Sequence, residues 1–114
     1  MAGHAILSLS ELRSLLESDF THRVTLFYRS LQITPPYHSV EKARLALRER
    51  LKALPESDLR AAADEASSRN RFFAQAFIES GLEKKSRGII TALLADRSDR
   101  LPAECQSFGD AFKT

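Results

Sequence analysis

The sequence predicts an all-α domain: a compact bundle of four to five helices with long first and third helices. Three observations carry this. Apolar residues recur at steps of three and four along most of the chain, which is the helical period. Only 4 Gly and 4 Pro interrupt the 114 residues, and the prolines stand at seams between periodic stretches. No internal repeat, low-complexity tract or flexible linker divides residues 1–114, so a single domain is expected. A chain of this size buries roughly two-thirds of its unfolded surface, enough for a self-supporting core.

Each element follows from local chemistry. "SLSE" at 8–11 fits a capping box, with Ser8 as N-cap and Glu11 three residues later. From there Leu9, Leu12, Leu16, Phe20, Val24, Phe27 and Leu31 keep a three-or-four step up to Pro35 and Pro36, predicting one helix over about 9–33. The stretch "RVTLFYRSLQIT" is rich in strand-forming residues, but its alternation fails at Leu26-Phe27-Tyr28. Ser39 is placed to cap a second helix with Val40, Ala43, Leu47, Leu51 and Leu54 on one face. Pro55 opens the third, with Glu56 and Asp58 at its positive end, Leu59, Ala62, Ala66, Phe73 and Phe77 as its stripe, and Gly81 as terminator. A fourth helix is expected over about 83–96. A short last one follows Pro102, with Leu101, Cys105, Phe108 and Phe112 sharing a face.

Two helices of about 25 residues would each be roughly 37 Å long. A folded chain of this size has a radius of gyration of only about 13 Å. Such helices would run the length of the body or beyond it, so self-association as a homodimer, or a covering partner, is expected.

Composition narrows the function classes. The balance of 17 basic and 15 acidic residues gives +2 overall, with no broad pull toward nucleic acid or anionic lipid. Cys105 is the only cysteine, which rules out an intramolecular disulfide and a cysteine-based zinc site, favours a reducing compartment and reads as a small core residue. The opening "MAGHAILSLSEL" has no Lys or Arg ahead of its apolar run, so no secretory signal is read there. "IITALLA" is far too short to cross a bilayer. A cytoplasmic location is expected. Nucleotide-binding glycine loops, nucleophile elbows and zinc-helix motifs are absent, and His4, His22 and His38 lack metal-ligand spacing. The chain therefore reads as a non-enzyme with no cofactor.

Three surfaces remain. Phe20, Val24, Phe27, Tyr28 and Leu31 on the first helix offer more apolar area than one packing side needs, and stand equally as core or as a partner-binding face. In "RNRFFAQAF" Phe73 and Phe77 continue the core stripe, while Phe72 leaves it: either the buried face is wide there or Phe72 is a partner contact. Arg44, Arg48 and Lys52 line up on one side of the second helix, a spacing that could follow phosphates. That line supports an alternative reading as a small helical DNA-binding regulator.

The size, the helical pattern and the stretches "SLSELRSLLESDF", "LFYRSL" and "RNRFFAQAF" resemble the QslA-type family of bacterial quorum-sensing antiactivators. The resemblance runs along the whole chain and rests on no short diagnostic motif. It implies a small cytoplasmic homodimer that binds the ligand-binding domain of a LuxR-type transcription factor. Covering that factor's dimerisation surface would keep it off DNA. The resemblance carries over no catalytic residue.

Overall fold

Ser8 and Glu11 close the first helix reciprocally. The Glu11 amide donates to Ser8 Oγ at 3.1 Å and the Ser8 amide to Glu11 Oε1 at 3.0 Å. This computed structural model describes residues 7–113, and its helices are α1 (Leu9–Ser30), α2 (Tyr37–Ala53), α3 (Glu56–Asp64), α4 (Ala66–Ser80), α5 (Lys84–Arg97) and α6 (Gln106–Ala111), with 3-10 turns at Ser98–Arg100 and Ala103–Cys105. No strand occurs among the described residues.

The first helix ends three residues earlier than its pattern predicts. The Leu31 amide reaches back to the Phe27 and Tyr28 carbonyls, and Gln32 turns the chain at a φ of 60°. At 22 residues α1 is about 33 Å long, which fits inside a body of 43 × 26 × 24 Å. Nothing protrudes. The second helix starts at Tyr37 behind Pro36, so Ser39 lies within it and is not its cap.

The expected long third helix is two helices. Glu65 takes extended backbone angles (φ −110°, ψ 115°) between α3 and α4. Arg69 stabilises the break by donating to the Ala63 carbonyl at 2.8 Å and, more weakly, to that of Ala62 at 3.5 Å. These carbonyls belong to the last turn of α3, where a helix leaves acceptors unpaired. The change of direction carries Ala66 out of the expected stripe and onto the surface. Gly81 does end α4, but with a φ of −114°, so it does not serve as a left-handed terminator. Its role is close approach: a Cβ there would lie 2.6 Å from the Ala43 Cβ on α2.

Packing centres on an aromatic cluster. The Phe27 ring meets Tyr28, Phe77, Phe108 and Phe112 at centroid distances of 6.1, 5.8, 5.6 and 5.8 Å. Thus α1, α4 and the C-terminal segment share one core, as the predicted face through Leu101, Cys105 and Phe108 requires. Phe112 stacks on Phe27 and the other three rings meet it edge-to-face; pairs of either kind contribute about 0.5–1.5 kcal/mol beyond the area they bury.

Candidate functional site

The structure places the expected α1 contact stripe inside the bundle. Phe20, Val24, Phe27, Tyr28 and Leu31 are all between 0% and 2% exposed. The choice between core and partner face therefore resolves as core. The surplus of apolar side chains arises because α1 is central, with α2, α3 and the Ala103–Cys105 turn all packed on it. The Tyr28 hydroxyl meets no hydrogen-bonding partner, and burial pushes the phenol up to about 12. Phe72 is half-buried. It tilts against Phe73 at 6.3 Å and lines a shallow hollow of about 260 Å³ with Leu54, Asp58, Ala61, Ala62 and Ser68.

The basic line on α2 is internally neutralised. Arg44 pairs with both Glu41 and Glu17, and Arg48 grips Glu17 through Nε at 3.1 Å and Nη2 at 2.7 Å. Lys52 lies 3.2 Å from Glu49, and Arg50 pairs with Glu79 on α4. The hydrogen bond from Arg48, joined by Arg44, holds the Glu17 carboxyl below the usual range. Glu17 thus ties α1 to α2, and the phosphate-following spacing of Arg44, Arg48 and Lys52 is occupied by carboxylates. Asp19 engages Arg23 at 3.2 Å and Arg69 at 3.6 Å, while His22 is exposed beside it. His4 lies outside the described residues.

Burial pushes the Cys105 thiol up to about 11, with Glu104 adding to the effect. It is fully enclosed, and its Sγ lies 3.6 Å from the Arg23 carbonyl. No group of His, Cys, Asp and Glu suited to a metal ion occurs among the described residues, and none of their helices is long and apolar enough to cross a membrane.

An open groove of about 660 Å³ lies between α4 and α6. Its floor is Ala74, Ile78 and Ala111, and its rim includes Asn70, Arg71, Glu79 and Asp110. Asn70 anchors one end: its side-chain oxygen accepts from Arg23, and its carbonyl accepts from Ser107 Oγ at 3.3 Å. The groove follows from α4 having two useful faces. Phe73 and Phe77 point into the core, while Asn70, Ala74 and Ile78, four apart, lie in a second line. Small residues on that line leave space that larger ones would fill. The same spacing is present in the sequence, masked there by the stronger signal of the phenylalanines.

Comparison with protein-family models, with curated proteins and with solved structures finds no match to this chain.

Proposed function

We propose that this chain is a small helical regulator that acts by binding another protein in the cytoplasm. Specifically, it is an antiactivator that covers the dimerisation surface of a LuxR-type transcription factor and keeps it from DNA. The observation that carries the protein-binding part is the groove between α4 and α6. An apolar floor of Ala74, Ile78 and Ala111 inside a rim of Asn70, Arg71, Glu79 and Asp110 has the anatomy of a recognition surface, an apolar centre with a polar border. An apolar centre with a polar border suits the apolar face of an amphipathic helix. The choice of a LuxR-type target rests on the resemblance described above. The carboxylates facing Arg44, Arg48 and Lys52 weigh against the DNA-binding alternative.

The test mixes the purified chain with the purified ligand-binding domain of a LuxR-type factor and follows mass by light scattering. The expected result is a complex in which the factor's own dimer is lost, with DNA binding lost in parallel. Ile78→Glu and Arg71→Glu should weaken the complex, while Leu15→Ser on the outer face of α1 leaves it intact. No complex with such a domain overturns the antiactivator assignment. A complex indifferent to Ile78→Glu overturns the groove.

A further inference from the structure

A hollow between α1 and α2 collects charge of one sign. Ser10, Arg13, Ser14 and Glu17 follow one another at steps of three and four, and so share one face of α1. Across from them stand Arg48 and Lys52 of α2, and the two sets border a concavity of about 210 Å³ that buried Leu51 also walls. The lining holds three cations and one carboxylate, a surplus of two positive charges. That carboxylate is already engaged. Glu17 accepts from Arg44 and from Nε and Nη2 of Arg48, which leaves Arg48 Nη1 without a protein partner. Arg44 and Arg48 thus hold carboxylates, whereas Arg13 pairs with none among the described residues, and its Nε is enclosed with no acceptor. The Ser10 and Ser14 hydroxyls make no hydrogen bond to other described residues either.

We infer that this hollow binds the phosphoryl group of a small phosphomonoester. Such a group carries about −1.5 to −2 at neutral pH and three strong acceptor oxygens, which match the surplus charge and the idle donors. Arg13 brings a planar guanidinium fork, a shape that suits phosphate oxygens. Arg48 Nη1 and the Lys52 ammonium add donors from the second helix, and the two serine hydroxyls add neutral ones. Lys52 lies 3.2 Å from Glu49, an exposed pair that yields at little cost. A carboxylate ligand brings one charge and two oxygens, and would leave part of this donor set unused. The hollow is also unlike a track for a nucleic-acid backbone: its unpaired cation comes from α1, and it has room for one phosphoryl group.

The test uses the purified chain and follows amide NMR shifts at constant ionic strength. Glycerol 2-phosphate and inorganic phosphate are each titrated through the millimolar range, with sodium acetate as the control anion. Both phosphates should give saturable shifts confined to residues 10–17 and 48–52, and acetate should give none that saturate. Arg13→Gln should weaken phosphate binding about tenfold, the loss of one charge-assisted contact. Its melting temperature in phosphate-free buffer should be unchanged, because Arg13 holds no other described residue. Glycerol 2-phosphate should raise the melting temperature of the wild type more than that of Arg13→Gln, a difference that general salt effects do not produce. Ile78→Glu should leave phosphate binding intact, so this site and the α4–α6 groove stand or fall separately. Shifts that never saturate, binding indifferent to Arg13→Gln, or acetate binding as tightly as phosphate would each overturn the inference. Binding of inorganic phosphate without glycerol 2-phosphate would overturn the assignment to a monoester.

Discussion

Replacing Phe27 with Ala removes the ring on which Tyr28, Phe77, Phe108 and Phe112 converge, with centroids at 5.6 to 6.1 Å. Phe27 is 0% exposed, and rings from α1, α4 and the C-terminal segment wall its site. Truncating a core Phe costs roughly 3–5 kcal/mol, part as lost transfer energy and part as the cavity left behind. Three separately anchored walls cannot easily collapse inward together, so a value near about 4 kcal/mol is expected. Against a total stability of roughly 5–15 kcal/mol, that is a large fraction. It corresponds to a fall in melting temperature of about 20 °C for a domain of this size. Thermal melts followed by circular dichroism measure it, with Leu15→Ala, at an exposed position, as the control. If Phe27→Ala melts no lower than the control, the aromatic cluster is not what holds the bundle together. The α1 stripe would then return as a contact face.

Three further predictions concern smaller features. Glu17→Gln should lose about 1 kcal/mol near neutral pH, since two guanidinium groups keep only a neutral amide between them. The Glu17 carboxyl is held below its usual value of 4.5 when folded, so its contribution is present above that value and fades as the pH falls beneath it. Urea titrations should find the gap between wild type and variant closing on acidification. Gly81→Ala should destabilise by about 1–3 kcal/mol by driving its new Cβ into Ala43 and prising α4 from α2. Gly88→Ala, in open space on α5, should stabilise by up to about 1 kcal/mol, both read by thermal melts at low protein concentration.

Much of the fold is legible in short-range chemistry. The Ser8–Glu11 box, the Pro35–Pro36 stop and the Pro55 start each act within a turn of themselves, and each marks a boundary the structure keeps to within a few residues. The break between α3 and α4 is not legible, because "AAADEASS" contains no residue that stops a helix. What stabilises it is the Arg69 side chain bonding back across the gap, a contact that exists only once both helices are placed. Periodicity likewise shows which face of α1 is apolar but not what covers it. A core stripe and an interface stripe have the same composition, and α1 lies at the centre because of where its neighbours pack. Arg44, Arg48 and Lys52 show the same limit with charge. Glu41 and Glu49 are visible neighbours on α2, whereas Glu17 arrives from another helix.

The enclosure of Cys105 has a consequence for how the protein can be controlled. With its thiol raised to about 11 by burial, Cys105 carries almost no thiolate at neutral pH, and its sulfur is sealed from solvent. The sequence has no other cysteine and a single methionine, Met1. Peroxide or disulfide stress finds almost nothing on this chain to modify. Association of this chain with another molecule should therefore respond little to the redox state of its surroundings.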